Sequence, residues 1–207
     1  MNGAPSLSAI VLAGGQSSRM GQDKALISID GVPLLRRVCD VALQCTPQVY
    51  VVTPNEQYRE ILPNACHLVA EKFLSGEKPH GPLVGFAQGL TQVQTDWVLL
   101  LACDLPHLSA EILQNWAQEL NNAGAAIALL PKTEKGWEPL CGFYRPSCLP
   151  SLTAAVNQGE RSFQRWLAQA AVKEILFSDS PEERLRQHAM LFNCNTPVDL
   201  KIAKNKP

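Results

Sequence analysis

Two cations, a carboxylate and a run of glycines stand where this chain could do chemistry on an anion. Residues 12–24 read Leu-Ala-Gly-Gly-Gln-Ser-Ser-Arg-Met-Gly-Gln-Asp-Lys, directly after the apolar stretch Ser8–Leu12. Glycine lets backbone N–H groups approach a ligand that a Cβ would hold off. Such amides, with Arg19 and Lys24 beside them, make a place for phosphate. Further on, Asp104 follows the apolar Trp97–Leu101 in Ala102-Cys103-Asp104-Leu105-Pro106. Magnesium takes one or two carboxylates and leaves its other positions to substrate phosphates and water, so Asp104 is a candidate ligand. Ser109 is better placed than Asp104 to cap the helix that follows. Asn195, in Asn193-Cys194-Asn195-Thr196-Pro197, carries an amide oxygen that could complete the metal site or bond the substrate.

The elements that must position these groups alternate along the chain. Strand candidates are Ala9–Leu12, Val49–Val52, His67–Ala70, Val98–Leu101, Ala126–Leu130, Leu140–Tyr144, Glu174–Phe177 and Leu191–Cys194. Helical patterns lie between them, which predicts βαβ units and a largely parallel sheet. Pro33 opens one helix, with Leu34, Leu35, Val38, Val41 and Ala42 on one face. Ser109 starts a second, carrying Ile112, Leu113, Trp116 and Leu120, and Thr196-Pro197 starts the last. Glu71–Pro82, dense in Gly and Pro, reads as a long loop of the kind that is often functional. Ligands of open α/β sheets sit outside the carboxyl ends of the strands, where Leu12–Lys24 and Asp104 both fall.

Composition narrows the ligand. With 207 residues, 46% hydrophobic, 18% charged and a net charge of −1, the chain predicts one globular domain. Neither a disordered chain nor a basic nucleic-acid surface is indicated, so any nucleotide bound is a small one. Apolar runs such as Trp97–Cys103 fall short of the roughly 20 residues that span a bilayer, and no secretory leader pattern opens the sequence; a cytoplasmic protein is expected. The seven cysteines make no Cys-x-x-Cys pair, which excludes the usual zinc spacing and a disulfide frame.

Two phosphate loops fail against the opening stretch. A P-loop requires Gly-Lys-Ser/Thr, but Gly21 is followed by Gln22 and the lysine arrives two positions late; Gly14-Gly15-Gln16-Ser17-Ser18-Arg19 does not give the dinucleotide fingerprint. The stretch instead resembles, at every fixed position, the signature Leu-Ala-Gly/Ala-Gly-x-x-x-Arg-Met-Gly-x-x-Lys of nucleotidyltransferases with a Rossmann-like fold. With Asp30–Pro33, Gly81-Pro82-Leu83-Val84-Gly85, Asp104, Gly159-Glu160-Arg161-Ser162 and Asn193–Pro197, nearly the whole chain is similar to the molybdenum cofactor guanylyltransferases.

That resemblance implies a three-layer α/β fold, a mostly parallel sheet with helices on both faces, and transfer of GMP from GTP to molybdopterin with Mg²⁺. It implies nucleotide contacts at Leu12, Ala13, Gly14, Gly15, Lys24 and Asp104, with Arg19, Lys24 and Asp104 catalytic and Mg²⁺ on Asp104 and Asn195. A further asparagine contact falls on Thr53 or Asn55, and the family's aspartate after the third strand is matched by Glu71. For the pterin phosphate the candidates are Arg161 and Ser162, Lys132 and Arg145. Gly14 stands where cytidylyltransferases of this fold carry alanine, leaving room for a purine. Molybdoenzymes or cofactor-delivery proteins would be partners, with no nucleic acid and no membrane. The alternatives are cytidylyl transfer to the same pterin, nucleotidyl transfer to another small phosphate, and, in a different class, a non-catalytic nucleotide-binding or delivery protein.

Overall fold

A computed structural model of the chain describes residues 3–14, 23–71 and 81–205. In chain order the strands and α-helices are β1 (Leu7–Leu12), β2 (Ser28–Ile29), β3 (Val32–Pro33), α1 (Leu34–Cys45), β4 (Val49–Thr53), β5 (Cys66–Ala70), α2 (Pro82–Leu90), β6 (Trp97–Ala102), α3 (Ala110–Ala117), β7 (Ala128–Thr133), β8 (Gly136–Trp137), β9 (Cys141–Tyr144), α4 (Leu149–Asn157), α5 (Phe163–Leu167), β10 (Val172–Ile175), α6 (Pro181–Met190) and α7 (Pro197–Lys204).

Among the described residues, eight strands form one sheet in the order β10-β7-β9-β6-β1-β4-β5, with β8 paired to β7. The pairs β1–β4, β1–β6, β4–β5 and β7–β10 are parallel, and β9 runs against both β6 and β7. Side chains alternate across a strand, so a sheet buried on both faces needs apolar residues at every position. β6, Trp-Val-Leu-Leu-Leu-Ala, is buried throughout. Ala9, Val11, Leu99 and Leu101 pack with Leu35 and Val38 of α1, Ile112 and Trp116 of α3, and Met190 of α6. Ile10, Leu12, Val98 and Leu100 pack on the other face with Leu83 and Phe86 of α2, Leu152 of α4 and Trp166 of α5. The result is the expected three-layer fold. A separate small cluster joins Ile27, Ile29 and Leu34 to Cys194 and Ala203, with Phe192 and Leu200 against it.

Several boundaries differ from the sequence reading. Pro33 does not begin the helix: it pairs with Ser28 across a hairpin turned by Asp30 and Gly31, both at positive φ, and serves as the N-cap of α1. Leu191–Cys194 is not a strand. The segment follows α6 as a loop whose Leu191 and Cys194 are buried, and Cys194 N–H bonds the Asp104 carbonyl at 2.9 Å. The strand expected at Ala126 starts at Ala128 and runs on to Thr133, while the one expected at Glu174–Phe177 lies at Val172–Ile175. Of the expected loop Glu71–Pro82, residues 72–80 lie outside the described residues, and Pro82 already opens α2. The cysteines are all free, and among the described residues no helix is long and apolar enough to cross a membrane.

Burial on both faces has a direct test. Leu99 and Leu100 are adjacent, face opposite layers and are fully buried, so alanine at either costs about 2–5 kcal/mol. Urea denaturation of the two single variants should show similar losses; one near-neutral result would mean a sheet covered on one face.

Candidate active site

The register of β1 on β6 builds the site. Leu12 lies opposite Ala102, so the two parallel strands end at the same level, and Ala13-Gly14 and Cys103-Asp104 leave the sheet side by side. Cys103 N–H bonds the Leu12 carbonyl at 3.1 Å, and Ala13 N–H bonds Val52 of β4 at 2.9 Å. The chain steps outward from β1 to β4 and β5, then returns to place β6 on the other side of β1. That is the switch point where open α/β sheets leave a crevice.

Two further segments close on this crevice. Lys24 opens a 3-10 turn over Lys24–Leu26, and Asn195 precedes α7. Thr196 and Asp199 form a capping box; one Asp199 oxygen accepts the Thr196 N–H at 2.8 Å and also the Asn195 N–H at 2.9 Å. Those bonds hold the Asp199 carboxyl below the usual carboxylate range, the Asn195 amide first among them. The Lys24 ammonium lies 3.4 Å from Asp104 Oδ2 and donates to Asn195 Oδ1, so three groups remote in sequence meet at one point.

Asp104 is 16% exposed at its side chain and Lys24 23%. Burial raises the Asp104 pKa, and the charge and hydrogen bond of Lys24 pull it back only partly. Asp104 Oδ1 is buried with no hydrogen-bond partner among the described residues. An unpaired buried carboxylate oxygen beside an amide oxygen suits a hard cation that arrives with phosphate. No group of three or more His, Cys, Asp or Glu able to hold a metal occurs among the described residues. Cys103 is pushed up to about 12 by burial and then by the Asp104 charge, which leaves a thiol rather than a nucleophilic thiolate.

The cavity, about 330 Å³, is lined by Leu12, Ala13, Gly14, Lys24, Asp104 and Asn195 of the expected residues. Asp23, Tyr58, Pro82, Leu140 and Asn193 also line it, and sequence reasoning singled out none of them for a role in the site. Gly15 and Arg19 lie outside the described residues. Glu71 directly follows β5 beside the crevice: a Cβ on Gly14 would stand 3.0 Å from Glu71 Oε2 and 3.4 Å from Pro54, so an alanine there requires the Glu71 carboxylate to give by a few tenths of an ångström. Asn55 does not line the cavity; its Oδ1 accepts the Gln57 N–H at 3.0 Å and caps the 3-10 turn Glu56–Glu60.

The expected pterin-phosphate residues are not gathered there either. Arg161 donates to the carbonyls of Val156 and Glu160 at 2.9 and 2.8 Å, closing the end of α4. Arg145 lies 4.3 Å over the Trp97 ring and bonds the Ala126 and Gly124 carbonyls. Ser162 caps α5, and Lys132 stands 5.1 Å over Trp137.

The family profile described as the MobA-like NTP transferase domain matches residues 9–174. A probable molybdenum cofactor guanylyltransferase of Nostoc sp. is 54% identical over 202 residues, spanning 97% of this chain and 91% of that one. The molybdenum cofactor guanylyltransferase of Vibrio cholerae is 30% identical over 194 residues, or 92% of this chain and 88% of that one. Among solved structures, molybdopterin-guanine dinucleotide biosynthesis protein A from Archaeoglobus fulgidus superimposes with a TM-score of 0.72 at 27% identity, covering 95% of this chain and 96% of that one.

A buried carboxyl with a raised pKa binds its proton more tightly folded than unfolded. Its contribution to stability is therefore complete below the unfolded value of about 3.9 and is lost as pH rises through the folded value. Asp104→Asn, neutral at every pH, should melt above the wild type at pH 7, the gap closing toward pH ~4. Thermal melts across that range check it, and an Asn variant that melts lower at pH 7 contradicts it.

Proposed function

As a member of the MobA-like NTP transferase family the chain is a nucleotidyltransferase of molybdenum cofactor biosynthesis, and we propose that it transfers GMP from Mg²⁺-bound GTP to the terminal phosphate of molybdopterin. A phosphate oxygen of the pterin attacks the α-phosphorus of GTP in line. One oxygen–phosphorus bond forms as the bond to the β-phosphate oxygen breaks, and pyrophosphate leaves.

The observation that carries this reading is the meeting of Lys24, Asp104 and Asn195 at the carboxyl ends of β1 and β6. Transfer of this kind depends mostly on positioning and charge compensation, and requires no covalent intermediate on the protein. Asp104, with the Asn195 amide oxygen, would hold the Mg²⁺, whose chemistry there is to neutralise phosphate charge. Lys24, Arg19 and the amides of Gly14 and Gly15 compensate charge as it grows on the leaving pyrophosphate. Glu71, close to Gly14, would accept the ring N–H and amino donors of guanine. In this reading the N-terminal half of a single domain serves mainly the nucleotide and the C-terminal half mainly the pterin.

Purified protein supplied with Mg²⁺, molybdopterin and each labelled nucleoside triphosphate should transfer label from GTP alone. Lys24→Ala and Asp104→Ala should each lose about 100-fold or more in rate while remaining folded. Gly14→Ala, by shifting Glu71, should weaken GTP against CTP. A wild-type preference for CTP would overturn the guanylyl assignment, and wild-type turnover by Asp104→Ala would overturn the metal site.

A further inference from the structure

A lysine ammonium sits at the end of four rotatable carbons, so its position in a site depends on what anchors its backbone. The residues before Lys24 form the glycine-rich stretch, and the anchor lies in Asp23. Its Oδ1 accepts the Ala25 N–H at 3.1 Å and closes the turn that Lys24 begins. Its Oδ2 accepts the phenol hydroxyl of Tyr58 at 2.6 Å, from an element that follows β4. Tyr58 is 5% exposed, its ring packed in the core cluster that also holds Ala25, Val38 and Val51.

The backbone of Tyr58 is itself held. Asn55 caps the 3-10 turn bearing Tyr58: its carbonyl accepts the Tyr58 N–H at 3.4 Å and its Oδ1 the Gln57 N–H at 3.0 Å. Burial first, and the Asp23 hydrogen bond next, push the phenol above its ordinary pKa, so it stays a protonated donor at every working pH. This matters because Asp23 lines the cavity. A carboxylate facing a triphosphate would repel it, and the Tyr58 and Ala25 donors turn both Asp23 oxygens to other use.

We infer that Tyr58 is a positioning residue: through its hydrogen bond to Asp23 it fixes the turn that sets Lys24 toward the triphosphate and keeps the Asp23 charge out of the nucleotide's way. The relay runs from Tyr58 through Asp23 to the turn that begins at Lys24. The inference rests on the reading of this cavity as a nucleoside triphosphate site.

Tyr58→Phe keeps the buried ring and removes one hydroxyl. The affinity of the full-length protein for Mg²⁺-bound GTP, measured by equilibrium dialysis without pterin, should fall about tenfold, the loss expected for a hydrogen bond to a charged group. In transfer assays KM for GTP should rise and kcat should fall, because Lys24 both binds the triphosphate and compensates charge on the leaving pyrophosphate. The deciding readout is a double-mutant cycle: in a Lys24→Ala background the same Tyr58→Phe change should cost nothing further. Equal losses in both backgrounds would mean that Tyr58 only supports the fold, and an unchanged affinity in the first would remove the relay altogether. Should Tyr58→Phe not fold, Asp23→Asn keeps an acceptor for the Ala25 N–H and loses the charge. The same cycle run with that variant supports the relay if its loss vanishes in the Lys24→Ala background and overturns it if the loss persists. If the wild type neither binds Mg²⁺-bound GTP nor releases pyrophosphate with any nucleotide, the proposed function fails. If the wild type works and Lys24→Ala does not, while Tyr58→Phe is neutral, only the relay fails.

Discussion

Parallel pairing of β1 with β6 is the constraint on which the other features depend. With Leu12 opposite Ala102, the backbone of Ala13 and Gly14 and the carboxylate of Asp104 leave the sheet together. A slip by one residue would send the buried residues of β1 to the opposite layer, so packing on both faces keeps this alignment from drifting. The core is thereby tied to the chemistry: the same alternation that sends Val11 to one layer and Leu12 to the other sets the level at which the strand ends.

What gathers at that level is unfavourable without its ligand. Asp104 is mostly withdrawn from water, one oxygen has no partner among the described residues, and the facing Lys24 offsets the burial only in part. In the proposed function, where this cavity takes a triphosphate with a divalent cation, such unmet demands serve better than a self-satisfied ion pair. Stability given up at this point is available as binding energy.

Much of this is legible in the sequence, for reasons that can be named. The ends of β1 and β6 are marked by long apolar runs giving way to Gly or Asp, and α3 and α7 announce themselves through Ser109 and the Thr196-Pro197 pair. The helix α2 escapes a sequence reading because it is apolar almost all round and interrupted by Gly85 and Gly89, which hides the helical period. Leu191–Cys194 has the apolar content of a strand, yet it fills a gap beside the Asp104 loop rather than a place in a ladder. Arg161 looks available for substrate because a side chain's hydrogen bonds to backbone carbonyls leave no trace in sequence. Tyr58 and Asp23 meet across 35 positions, a separation that no local pattern encodes.

The small cluster around Ile27, Ile29, Leu34, Cys194 and Ala203 stands apart from the two layers that flank the sheet. Ile27 follows the turn that bears Lys24, and Cys194 directly precedes Asn195. Both arms of the candidate site thus rest on one modest apolar foundation in addition to the main core, which Ala25 enters beside Lys24. Sub-global openings begin where the least apolar surface is buried. The C-terminal helix and the hairpin bury less apolar surface together than either layer of the sheet does, so parting them costs less than opening the sheet, and the contact between Lys24 and Asn195 is lost when they part.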